Sequence, residues 1–212
     1  LNLCTDQILV DLVAPQRIAA LSFLAPDPSV SAVAARVAGM GTLRGEAEEV
    51  LAVNADLVVS SAFSTPATLA LLSRLGRRVV VAPLASSFDD IRGVIRVLAE
   101  AVGETARGEA MIATFDRRLA AFHALRIEAG ERRIDDAGRH RVGAQVGSLV
   151  SSSGSLLDEA MRWVGLNNDA GRRRLGRGGR LPLEALIAAP PDLIVLANDP
   201  AGHLTTLGPN GS

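Results

Sequence analysis

The sequence contains no lysine and no tyrosine, and all 22 of its basic residues are arginine. The bias reads as the codon usage of a GC-rich genome. Aromatic residues make up 3% of the 212 residues, with Trp163 the single tryptophan, so any aromatic platform for a ligand is sparse. Cys4 is the only cysteine, which excludes an internal disulfide. With one cysteine and three scattered histidines (His123, His140, His203), no spaced metal-ligand motif can be drawn. No apolar run reaches the ~20 residues of a membrane-spanning helix. A formal net charge of −1 argues against nucleic acid or an anionic membrane as the main partner. Neither a P-loop nor a G-x-S-x-G elbow occurs, and "GMGTLRG" (39–45) does not meet the dinucleotide fingerprint.

What the chain does have is apolar sequence, 48% of it, broken into short runs. "RIAALS" (17–22), "DLVVSS" (56–61), "RVVVAP" (78–83), "RVGAQVG" (141–147) and "DLIVLA" (192–197) are short, β-branched and bounded by turn residues, so they predict buried strands. Between them, residues 5–14, 47–53, 67–76 and 155–165 predict helices. Strand, helix and strand in alternation imply an α/β fold with Rossmann-like parallel sheets. Mid-chain the pattern changes. Ser87 caps a helix with Asp89 and Asp90 in its first turn, an Ile91, Val94, Ile95, Leu98 stripe, and Gly103 as its stop. A second long helix follows over about residues 104–124. Residues 126–141 are charged and poorly periodic and read as a solvated connection.

The helical stretch divides the chain into residues 1–86, an N-terminal α/β lobe; 87–125, the mid-chain helices; and 126–212, a C-terminal α/β lobe. A repeat supports this division. "EEVLAVNADLVV" (48–59) and "EALIAAPPDLIV" (184–195) share a Glu opening a short helix, a turn, then Asp and a buried strand. Glu48 matches Glu184 and Asp56 matches Asp192, each pair 136 apart (184 − 48 and 192 − 56). Two such lobes on a helical strut make a cleft, and ligands of open parallel sheets bind beyond the carboxyl ends of the strands. The loops there are 39–45, 60–66, 82–88 and 146–154, rich in Gly, Ser and Thr. They supply Arg44, Ser64, Ser86 and Ser148 as candidate ligand contacts through hydroxyls, N–H groups and one cation.

Five stretches in order carry a family resemblance: "LNLCTDQILVDLVAPQRIAALS", "EEVLAVNADLVV", "LGRRVVVAP", "SFDDIRGVIRVLAEAVG" and "LPLEALIAAPPDLIVL". They resemble the helical-backbone class of substrate-binding proteins of ABC importers, the periplasmic binders of cobalamin, haem and ferric siderophores. The resemblance implies two lobes joined by one long rigid helix, a ligand between them, no catalysis and no cofactor. It implies a monomer outside the cytoplasmic membrane, loaded with a metal chelate and docking on a permease and its ATPase. The positions that match the family's docking carboxylates are Glu48 and Glu184. The family pattern also places a strand ahead of Leu1 and a helix–strand unit after Ala197, so both ends read as cut. The rival readings are an α/β hydrolase or transferase, and a regulatory protein on the same fold.

Further candidates carry plainer alternatives. Cys4 reads as a buried, inert or cleft-edge thiol ahead of any chemical role; Leu3 before it is not the small residue a lipidation site has. In the same loop Thr5 is expected to cap the first helix, and Asn2 to face either the ligand or the protein. Arg44 pairs with an acidic ligand group or with Glu46 or Glu48. Arg177 stands in "RRRLGRGGR" (172–180), a solvated loop or a basic rim that draws in an anionic chelate or a corrinoid phosphate. Trp163, at helical spacing from Leu156, Ala160 and Leu166, is expected in the core.

Overall fold

The computed structural model describes residues 2–62, 64–128, 141–146, 149–150, 154–164, 167–168, 183–188 and 193–196. The chain divides into two compact units: residues 1–85 with 89–115, and residues 86–88 with 116–212. Both are α/β.

The first unit opens with α1 (Leu3–Leu12), followed by a 3-10 turn (Pro15–Arg17) and β1 (Leu21–Ser22). After a second 3-10 turn (Ala34–Arg36) come β2 (Thr42–Leu43), α2 (Ala47–Val53), β3 (Leu57–Ser61), α3 (Pro66–Arg74) and β4 (Arg78–Ala82). β1 pairs β2 in parallel, and β3 pairs β4 in parallel from Leu57↔Arg78 to Ser61↔Ala82. The β-branched side chains of β3 alternate between two cores, as a strand covered on both faces requires. Val59 packs with Leu12, Val13, Ala82, Val94, Leu98 and Ala99, and Val58 with Ala47, Val50 and Leu72. A third cluster joins Leu21, Ala25, Val33 and Val37.

Two mid-chain helices follow, α4 (Phe88–Ala101) and α5 (Thr105–Glu128), separated by Gly103 at φ +74°. The expected stripe of α4 faces inward: Val94, Ile95 and Leu98 are buried and Ile91 half-buried. α5 is continuous, with residues 105–115 in the first unit and 116–128 in the second. Gly108 lies so near α4 that a Cβ there would stand 2.5 Å from the Ala99 Cβ.

In the second unit β5 (Arg141–Val146) pairs in parallel with β7 (Asn167–Asn168) and β8 (Leu193–Leu196), and antiparallel with β6 (Leu149–Val150). α6 (Leu156–Trp163) is capped by Ser155, whose Oγ accepts from Asp158 N. α7 spans Leu183–Ala188.

Several local expectations need correction. The strand expected over 17–22 shrinks to Leu21–Ser22, because Pro15 starts a tight turn whose bonds, Arg17 N to Ala14 O and Ile18 N to Pro15 O, occupy the backbone locally. Thr5 is not the cap of α1. Asn2 is: its Oδ1 accepts from Cys4 N at 3.0 Å, while buried Thr5 donates its hydroxyl back to Asn2 O. Cys4 consequently lies in the first turn of α1, and it is exposed rather than buried. Two stretches expected to be loop hold short strands, Thr42–Leu43 and Leu149–Val150. α5 runs to Glu128, four residues past its expected end (128 − 124), and the connection read over 126–141 lies mostly outside the described residues.

Candidate functional site

Three of the candidate ligand residues meet in the first unit. Asn2, Arg44 and Ser64 line one concavity of about 230 Å³, with Gly45, Glu46, Thr65, Thr68 and Leu69. Each is placed by a helix start. Asn2 closes the N-terminus of α1. Arg44 leads into α2, which opens with a capping box: the Glu46 carboxylate accepts from Glu49 N, and the Glu49 carboxylate reaches back to Glu46 N. Glu49 Oε2 also accepts from Arg44 N at 2.8 Å and Gly45 N at 3.2 Å, so the loop carrying Arg44 is pinned through its backbone. Ser64 precedes α3, whose first residue is Pro66, and receives a hydrogen bond from the buried Ser60 hydroxyl.

The guanidinium of Arg44 pairs with neither Glu46 nor Glu48. It stands over the ring of Phe23, 5.7 Å from the centroid. Glu46 is committed to the α2 N-terminus, which leaves the arginine's charge uncompensated by an ion pair among the described residues. Cys4 does not line this concavity although its neighbour Asn2 does.

Ser86 belongs to a different place. With Ser87, His123, Gly154, Glu159, Arg162 and Trp163 it lines a concavity of about 590 Å³ in the second unit. Trp163 meets Phe88 and His123 edge to face, at 5.6 and 5.9 Å between centroids. It is thus half-buried on a concave wall, not sealed in the core as its helical spacing suggests. Asp158 is buried, accepts from Gly154 N at 2.9 Å and pairs with Arg162 at 2.8 Å, which fixes the start of α6. Phe88 N donates to Glu159 Oε2.

Glu48 and Glu184 are both exposed, each the second residue of its helix. Ser148 and Arg177 lie outside the described residues.

A third cavity, about 400 Å³, lies in the first unit, lined by apolar side chains of α1, α2, β1 and β3 together with Asp6, Arg17, Asp56 and Arg78. Asp6 faces it, almost wholly buried, with Oδ2 accepting from Ser22 N at 2.8 Å. Burial raises the Asp6 pKa above the usual carboxylate value, and the Ser22 bond pulls it back only in part. Among the described residues, no three of His, Cys, Asp and Glu converge as a metal site.

Sequence reasoning missed Thr65 and Thr68 as lining residues and Phe23 as the support of Arg44. The threonines had a local signal, standing one and four residues after Ser64 at the start of a helix, where hydroxyls share one face. Phe23 had none, because its contact with Arg44 spans 21 residues of chain (44 − 23).

Comparison with known proteins gives a consistent picture of family and fold. A family model described as "Periplasmic binding protein" matches residues 1–206. The solved structure of the periplasmic heme-binding protein RhuT from Roseiflexus sp. RS-1 aligns at 24% identity and a TM-score of 0.75, covering 90% of this chain and 72% of that one. The periplasmic vitamin B12 binding protein BtuF of Vibrio cholerae aligns at 17% identity and a TM-score of 0.72, covering 96% and 78%. The periplasmic heme-binding protein HutB of Vibrio cholerae aligns at 19% and 0.71, covering 92% and 72%. At such identities the likeness is one of fold. No curated protein matches the sequence.

Proposed function

Since the chain belongs to the periplasmic binding protein family, we propose that it captures a metal chelate (a ferric siderophore, haem or cobalamin) for an ABC importer. It then works in the periplasm or outside the cell, and delivers its cargo to a membrane permease driven by an ATPase. The observation that carries this reading is the meeting of Asn2, Arg44 and Ser64, from three separate stretches of sequence, on one polar concavity. Hydroxyls, an amide, one cation and a Glu46 carboxylate already engaged at the start of α2 suit recognition of a preformed ligand. Family membership sets the chain among binding proteins, and the hydrolase or transferase reading falls away.

Glu48 and Glu184 serve as the docking carboxylates in this reading. Their exposure and their identical placement on short helices support it. Exposed ion pairs contribute only ~0–1 kcal/mol each, so the pair would set orientation and encounter rate more than affinity.

The test is reconstitution with a cognate ABC permease and its ATPase in proteoliposomes. The chain loaded with its chelate should raise ATP hydrolysis and move the chelate inward. A chain that binds a chelate yet leaves both rates unchanged would contradict the delivery half of the proposal.

A further inference from the structure

We propose that the concavity around Arg44 selects chelates that carry a free carboxylate over neutral or amide-decorated ones. The inference rests on the capture reading and narrows its ligand class.

The first ground is the state of Arg44. Several arginines elsewhere are engaged: Arg17 with Glu104, Arg36 with Asp11, Arg92 with Asp89, Arg96 with Glu109 and Arg162 with Asp158. Arg78 donates to Ala101 O, and Arg77 to Asn54. Among the described residues, Arg44 is the arginine that lines a concavity with no polar partner for its guanidinium. The Phe23 ring holds the cation without using any of its five N–H donors, so the fork stays available at little ordering cost.

The second ground is what surrounds it. Of the three acids that follow it, Glu46 and Glu49 are engaged by backbone N–H groups at the start of α2, and neither they nor Glu48 pair with the Arg44 guanidinium. Ser64 shares a hydrogen bond with the Ser60 hydroxyl and presents its own hydroxyl to the concavity. Thr65, Thr68 and Asn2 add hydroxyl and amide groups to the same wall. A planar bidentate cation beside hydroxyl and amide groups matches the two oxygens of a carboxylate.

The third ground is composition. With no lysine, arginine is this chain's one side chain that stays cationic at neutral pH to meet a ligand's carboxylate, and with no tyrosine it offers no phenolate to a ferric porphyrin. The acidic periphery of the chelate is therefore its strongest electrostatic handle here. Charge-assisted hydrogen bonds are roughly twice as strong as neutral ones, so the preference should be about ten- to a hundredfold.

Titration of the full chain with two matched pairs tests this: haem against haem dimethyl ester, and a ferric carboxylate siderophore against a neutral ferric hydroxamate, with cobalamin alongside. In whichever pair binds, the acid member should bind about ten- to a hundredfold tighter. Arg44→Met should erase that gap by weakening the acid member alone, and Arg44→Lys should keep part of it. Equal binding within a pair, a gap that survives in Arg44→Met with an unchanged melting temperature, or binding of cobalamin alone would overturn carboxylate selection and leave capture standing. Binding of no chelate at all would overturn both.

Discussion

Glu48 and Glu184 stand at the same place in two copies of one local design. Each is the second residue of a short helix, each is exposed, and each precedes the first residue of the next strand by nine positions (57 − 48 and 193 − 184). Each strand then pairs in parallel with a neighbour, β3 with β4 and β8 with β5. A carboxylate in the first helical turn is favoured by the helix dipole, which explains a Glu there but not its exposure in both copies.

If these carboxylates dock on a permease, reversing them should act on assembly alone. Glu48→Arg and Glu184→Arg should each weaken association with the permease about tenfold, as loss and repulsion of one charge pair imply. Affinity for the chelate should not change. Pull-down or surface binding to the detergent-solubilised permease measures the first, and ligand titration the second. Glu→Gln at each site controls for the ~0.3–1 kcal/mol a cation costs in a first helical turn.

Asp6 should make the protein less stable as pH rises. Its folded pKa lies above the unfolded value of 3.8 because burial disfavours the charged form. The folded state therefore holds the proton more tightly than the unfolded one. The stability linked to that proton is full below pH 3.8 and is lost as pH rises through the folded pKa. Asp6→Asn keeps an oxygen to accept from Ser22 N and removes the charge. Urea titrations at pH 4 and pH 7 should show the stability of the variant minus that of the wild type rising with pH; a difference that stays constant or falls would contradict the assignment.

Two helical glycines should answer oppositely to alanine. At Gly108 a Cβ would stand 2.5 Å from the Cβ of Ala99, which has no rotamer to move aside. Overpacking costs ~1–3 kcal/mol and the helix-propensity gain returns up to ~1, so Gly108→Ala should destabilise by roughly 1–2 kcal/mol. At Gly93, within α4, a Cβ would meet nothing within 4 Å. Gly93→Ala should stabilise by up to ~1 kcal/mol. Thermal melts of both variants measure the contrast.

How far the sequence could be read follows from the range of the forces involved. α2 was legible to the residue, Ala47–Val53, because Glu46 and Glu49 cap it and Asn54 ends it in the left-handed region at φ 53°. β3 and β4 were legible because β-branched runs between turn residues have few alternatives. The start of α1 was not, since Asn2 and Thr5 are both good caps, and Thr5 gives its hydroxyl to Asn2 O while Asn2 takes the cap. β2 and β6, two residues each, carry no period long enough to detect. At the site, residue types in loops were readable one by one, but their grouping was not. Asn2, Arg44 and Ser64 came together, whereas Ser86 joined His123 and Trp163 elsewhere. That sorting depends on which strand end each loop leaves, and no local pattern encodes it.

Isothermal titration calorimetry of the purified chain against haem, cobalamin and ferric siderophores reaches the central claim most directly. The account predicts saturable one-to-one binding of at least one of them, weakened when Arg44 or Ser64 is replaced. A folded chain that takes up none, or whose uptake ignores both substitutions, would contradict it.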